Sequence, residues 1–277
     1  MLARPEQNLP SPLPHQRANG IGRLGLVEAN GQTRIDELYQ EGCAKIRCPR
    51  THHNQLEAVI INSSGGMTGG DKLNWNFTIG ANCKASITTQ ACERIYKSVD
   101  GSAQTRIEID LNENSQFSWL PQETILFDQS SLSRTIEATL DPTAEALFVE
   151  SIIFGRREMG EKITLGSITD RWRIRQNGTL VHAEDFRMTG NIADQLNQPF
   201  ITNRREAMAT LLLISPKAEG LLETARNIIG ESGGASFWNG KLLARVVSTD
   251  GYALRKTLIP LINLLNFGTS VPKVWSL

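Results

Sequence analysis

Residues 61–98 open with Ile61-Asn62-Ser63-Ser64-Gly65-Gly66-Met67-Thr68-Gly69-Gly70-Asp71-Lys72-Leu73-Asn74-Trp75-Asn76-Phe77-Thr78-Ile79 and continue GANCKASITTQACERIYKS. Two Gly-Gly steps this close require a backbone that uses positive φ, or one pressed where no Cβ fits. Asp71 closes that bend. Past Lys72 the pattern changes: Leu73, Trp75, Phe77 and Ile79 alternate with Asn74, Asn76 and Thr78. Period-2 alternation marks a strand buried on one face. Gly80-Ala81-Asn82 turns the chain, and 84–89 starts a second β-like run ending in Thr88-Thr89-Gln90. The unit reads as a glycine-rich bend delivering an Asp to a strand, with a hairpin-like return.

The same pattern extends outward. Residues 22–28 and 33–39 flank Asn30-Gly31, a strong hairpin signal. Further runs lie at 42–47, 56–61, 105–111, 116–120, 134–140, 145–154, 163–165 and 171–176, the last joined at Asn177-Gly178 to 179–186. Helical periodicity is nearly absent before 191. A faint repeat is present: strands end and turn at Ile79, Leu111 and Leu140, which lie 32 and 29 positions apart. Spacing near thirty suits the coils of a β-helix-like solenoid and equally an antiparallel meander. The C-terminal third is mixed, with strands at 207–214 and 242–248. Ser215-Pro216 reads as a cap opening a helix over 216–229, and 252–265 as a helix interrupted by Pro260. A largely apolar closing helix reads as a cap on the core or as a docking surface. The expected fold is mainly β, a two-layered β-helix-like or stacked-sheet architecture with a few helices, mostly C-terminal. A loose tail (1–20) precedes one β-rich domain (21–277).

Composition bounds the function. The 277 residues carry 29 Lys plus Arg against 29 Asp plus Glu, so neither nucleic acid nor an anionic membrane is a default partner. No apolar run reaches the ~18 residues of a membrane span. The N-terminus has prolines but no apolar signal region, and four cysteines are too sparse for a disulfide framework. The expectation is a soluble cytoplasmic protein.

Enzyme signatures are mostly missing: no G-x-S-x-G, no H-E-x-x-H, and no phosphate loop, since a strand follows the glycines. His52 and His53, after Cys43 and Cys48, are weak candidates for a borderline-soft metal, or plain loop histidines. Cys83 and Cys92 read as core fillers. Glu150 sits in LFVESIIF with Phe148 and Ile152 on its own face. A carboxylate there needs an arginine partner, such as Arg156 or Arg157, or a polar passage. Glu161 could serve likewise. Trp119 and Pro121, in WLPQETI, suit an edge or corner offered to a partner, or core.

Four pieces in order, GGMTGGD (65–71), TTQA (88–91) with RIYKS (94–98), WLPQETILF (119–127) and FGRREMGE (154–161), resemble the urease accessory protein family UreD, also called UreH. The resemblance covers roughly 32–188, with a weaker match at 272–275. It departs at Asn62-Ser63-Ser64, where many members carry His-Pro-Pro, so no role of that histidine transfers. The resemblance implies a non-catalytic maturation factor that docks on apo-urease and recruits the helical partner UreF and the GTPase UreG. It implies an internal passage for transient nickel, with no tightly bound cofactor. Asp71, Thr88, Thr89, Glu150 and Glu161 become candidates for lining or supporting the passage, Gly65, Gly66, Gly69 and Gly70 the supporting bend, and Trp119, Pro121 and Arg156 partner contacts. Two rival readings are a β-rich hydrolase pairing Asp71 with Glu150 or Glu161, and a nickel-storage protein using His52, His53, Cys43 and Cys48.

Overall fold

A computed structural model describes residues 16–50, 55–156 and 160–276. The strands, in chain order, are β1 (Asn19–Ala29), β2 (Gln32–Gly42), β3 (Ala44–Arg47), β4 (Leu56–Asn62), β5 (Lys72–Ile79), β6 (Lys84–Thr89), β7 (Glu93–Ile95), β8 (Ala103–Leu111) and β9 (Gln116–Leu120). They continue as β10 (Thr124–Leu126), β11 (Ser130–Leu140), β12 (Glu145–Phe154), β13 (Leu165–Gln176), β14 (Thr179–Asn191), β15 (Ala207–Ile214), β16 (Gly233–Trp238) and β17 (Lys241–Ser248). Helices α1 (Ile192–Leu196), α2 (Leu222–Ile229) and α3 (Gly251–Leu265) fall late, as expected.

Two sheets face each other. One runs β14-β13-β11-β8-β5-β1-β2, the other β16-β17-β15-β12-β9-β6-β4-β3, with β10 pairing β12 and β7 pairing β10. Between them the chain alternates sheets and winds as a coil. β5, β8, β11 and β13 pair in parallel on one side, and β4, β6, β9 and β12 in parallel on the other. Parallel pairing decides for the β-helix-like reading over the meander. The faint repeat is the ladder register itself, since Ile79 faces Leu111 and Leu111 faces Leu140. The corners repeat too. Asn82 and Asn114 both take positive φ, Asn114 Nδ2 donates to Asn82 Oδ1 (3.3 Å), and Asn114 N donates to Thr143 Oγ1 (2.8 Å).

The expected hairpin-like return is therefore corrected. β5 and β6 belong to different sheets, and Gly80-Ala81-Asn82 is a coil corner. True hairpins occur at β1–β2, β13–β14 and β16–β17, each around an Asn-Gly turn with both residues at positive φ.

Alternation follows from which faces are covered. On the first sheet Trp75, Ile107, Ile136 and Trp172 stack in one inward row, while Asn76, Glu108, Glu137 and Arg173 form the outward one. The second sheet is covered on both faces, inward by the coil core and outward by α2, α3 and the C-terminal segment. Two-sided burial explains why β12 reads as a nearly continuous apolar run. The helix expected from 216 begins later. Ser215 accepts from Lys217 N (3.1 Å) in a turn, a 3₁₀ stretch covers Glu219–Leu221, and α2 follows. Pro260 lies within α3 instead of interrupting it: Pro260 and Lys256 both face solvent, so the carbonyl that loses its partner can be hydrated. No helix among the described residues is long and apolar enough to cross a membrane.

Candidate functional site

The coil is not filled throughout. A cavity of about 200 Å³ lies between the sheets, with Trp75, Ile107, Leu132 and Trp119 as apolar wall. Its deep end carries Arg134, Glu150 and Thr124, and its other end Asn62, Gly65, Gly66, Cys92 and Glu93.

The deep end is built by strand parity. Arg134 occupies an inward position of β11 in line with Leu132 and Ile136, and Asp170 an inward position of β13 in line with Ile168 and Trp172. Arg134 is 4% exposed, Glu150 3% and Asp170 4%. Arg134 forks onto Asp170, Nε to Oδ1 at 3.0 Å and Nη2 to Oδ2 at 2.6 Å, and Nη1 donates to Thr124 Oγ1 at 3.0 Å. Nη1 also contacts Glu150 Oε2 as an ion pair, off the angle of a hydrogen bond. Tryptophan indoles cap both carboxylates: Trp119 Nε1 donates to Glu150 Oε1 (2.9 Å) and Trp172 Nε1 to Asp170 Oδ1 (3.0 Å). One guanidinium thus serves two buried carboxylates. Burial pushes Glu150 up to about 7, with Arg134 pulling against it and Asp170 adding to it. Burial acts against the Arg134 charge, but the two carboxylates outweigh it and hold the guanidinium protonated.

At the other end Asn62 Nδ2 donates to Glu93 Oε1 (3.1 Å) and Gly66 O (3.3 Å). Burial raises Glu93 to about 7. Gly66 takes positive φ, and a Cβ there would overlap the Tyr96 ring and stand 2.7 Å from Arg94 O. At Gly69 a Cβ would strike Ser98 Oγ and Asp100 O. The glycine bend is thus pressed against the next coil, and both sequence reasons for the glycines operate. Beside this end Glu123, 1% exposed, receives a fork from Arg255 of α3, both contacts at 2.7 Å, and the Cys92 thiol at 3.2 Å. Burial and the adjacent Glu123 push Cys92 up to about 12.

The five passage candidates separate. Thr89 and Glu150 line the cavity. Thr88 points the other way, accepting from Trp275 Nε1 (3.2 Å) in the second core, because neighbours on a strand face opposite sides. Asp71 is a structural clasp whose two oxygens accept from Ala18 N and Thr68 N, both at 2.8 Å, fastening the bend to the start of β1. Glu161 accepts from Asp128 N (2.8 Å) and pairs with Arg156, pinning a loop. Neither Asp71 nor Glu161 lines the cavity, so the carboxylate pair a hydrolase would use is not assembled there. Trp119 and Pro121 are buried, which corrects their placement at a partner surface. Arg156 keeps accessible surface and stacks on Phe127 at 3.9 Å. His52 and His53 lie outside the described residues. Cys43 and Cys48 are half-buried thiols, both raised by burial, and among the described residues no group of three His, Cys, Asp or Glu is placed to hold a metal.

Arg134, Asp170, Glu93 and Gln122 did not stand out in the sequence. For Arg134 and Asp170 a signal existed: each is a charge at an inward position of an alternating strand.

The description "UreD urease accessory protein" matches residues 18–276. The chain belongs to the UreD family. The urease accessory protein UreD of Mesorhizobium japonicum is 49% identical, covering 96% of this chain and 97% of its own. That of Agrobacterium fabrum is 50% identical, covering 96% and 94%, and that of Brucella suis 45%, covering all of both. The fold and the family expected from the glycine, TTQA and WLPQETILF pieces therefore agree.

Proposed function

We propose that the chain is a non-catalytic urease maturation factor working in the cytoplasm. It docks on apo-urease, recruits UreF and the GTPase UreG, and lets nickel pass through the interior of its coil. The observation that carries this reading is the cavity with Glu150 and Thr89 in its wall, in a chain of the UreD family. Oxygen donors spread along a wall suit a cation that must enter and leave, whereas a closed ligand cage would retain it. Glu150 offers one carboxylate to the cavity and Glu93 another, with the amides of Gln122 and Asn62 in the same lining. Partner contacts then fall on the outside, where Arg156 stays accessible.

Glu150→Gln tests the reading, because it keeps the shape and the Trp119 contact while removing the charge. In a mixture of apo-urease, UreF, UreG, GTP and Ni²⁺, this variant should assemble as wild type and load urease with less nickel, read as bound nickel per active site. Loading equal to wild type, with assembly intact, removes Glu150 from the route.

A further inference from the structure

Arg134 is shared unequally. Asp170 receives two directed hydrogen bonds from Nε and Nη2, while Glu150 has a single contact from Nη1, which Thr124 Oγ1 also engages. Among the described residues Glu150 Oε2 makes no directed hydrogen bond, although it is buried. Arg134 and Glu150 line the cavity; Asp170 does not. The cationic side chain thus stands with its secure partner behind it and its loose partner at the wall.

A divalent cation approaching Glu150 meets a positive charge already there. If the guanidinium were held by Glu150 alone, the ion would have to displace it into an apolar wall, at the cost of an unpaired buried charge. With Asp170 behind it, Arg134 keeps a full fork when Glu150 turns away, because planar guanidinium and carboxylate match at two points. We propose that Arg134 is a resident counter-ion that Glu150 exchanges for the passing cation, and that Asp170, with Thr124, is the positioning group that retains the guanidinium during the exchange. No bond is made or broken covalently; one ion pair replaces another. The proposal rests on the reading of the cavity as a nickel passage and adds a device to it.

The test is nickel loading of urease in the assembled complex, normalised to complex formed, with Ni²⁺ as the probe. Asp170→Asn leaves Glu150 as the anion for Arg134, and loading should slow about tenfold, the scale of one hydrogen bond to a charged group. Adding Arg134→Gln to Asp170→Asn removes the cation as well as its partner, and loading should return to near the wild-type rate. A purely structural role for Asp170 would not be rescued by losing a second partner. Thr124→Val changes no charge and frees Nη1 for Glu150, so it should slow loading by a smaller factor. Wild-type loading by Asp170→Asn or by Thr124→Val overturns the exchange, as does a double variant that assembles yet stays as slow as the single one. Glu150→Gln separates the two readings. If it loads normally the passage through Glu150 falls; if it is slow while Asp170→Asn is normal, only the exchange falls.

Discussion

Glu150 and Glu93 both titrate near neutrality because burial raises them well above an ordinary carboxyl. A carboxyl whose folded pKa is raised binds its proton more readily in the folded chain, so its contribution falls as pH rises from about 4.5 to about 7. Glu150→Gln removes that loss while Arg134 keeps Asp170. The variant should be more stable than wild type at pH 8 and closer to it at pH 5, by denaturant unfolding at both values. Replacing an over-subscribed buried charge by a neutral isostere makes this the expected direction. At the cavity's other end, Gly66→Ala meets the Tyr96 ring and Arg94 O at a φ that side chains rarely adopt. A loss of about 1–3 kcal/mol is expected from backbone strain alone, measured by the same unfolding. Sequence reading found Glu150 because its face was legible from Phe148 and Ile152. It left Thr88 and Asp71 open between passage and support, because a hydroxyl or carboxylate does not announce whether its neighbour is solvent, a cavity or a backbone amide 53 residues away.

On the strands, His182 shows what an inward polar residue costs. It lies on β14 opposite Ile174, 6% exposed, its ring 6.2 Å from Trp172, with Nε2 unpartnered among the described residues. Burial, then Lys241, Arg245 and Arg173, lowers its pKa to about 4. A histidine held neutral when folded but protonated when unfolded loses stability as pH falls from about 6.5 to about 4, by up to roughly 3 kcal/mol. Glu150 and Glu93 have the opposite sign over nearly the same window, so in the wild type the slopes oppose one another. His182→Gln should expose the carboxyl slope, with stability falling from pH 5 to pH 7. Glu150→Gln should instead leave His182 opposed by Glu93 alone, with a nearly flat profile from pH 5 to pH 7. A pH series of melting temperatures on both variants checks the pair. The strands themselves were largely legible: β12 and β15 are found at the limits read from the sequence, and β5 within a residue. Their partners were not, because period-2 alternation fixes a face and leaves the sheet open. The Gly80-Ala81-Asn82 corner looks locally like a hairpin turn, and only pairing to β8 and β9 shows that it is not.

Across the whole molecule two cores share the second sheet, and a few long-range contacts fasten the outer one to the coil. Trp275, 2% exposed, donates to Thr88 Oγ1 and to Leu120 O at 3.1 Å, and Arg255 of α3 forks onto Glu123 at the coil corner. Burial alone would raise Glu123, yet Arg255 holds its carboxyl below the usual range. These contacts span more than a hundred residues, so no sequence pattern carries them; the apolar periodicity of 252–265 indicated only that the helix covers something. Arg255→Ala leaves Glu123 buried without its cation beside the Cys92 thiol, a loss of about 3–5 kcal/mol. The loss should be uneven. Hydrogen exchange is expected to quicken in α3 and in the strands β15 and β17 that it covers, since local opening there no longer breaks the clasp. The inward rows of β5, β8 and β11 draw their burial from the coil core and should keep their protection. Arg255→Lys retains charge without the two-point fork and should fall between the two. Uniform acceleration across both cores would mean that coil and helices unfold as one unit, and that the Glu123–Arg255 clasp is not a seam between them.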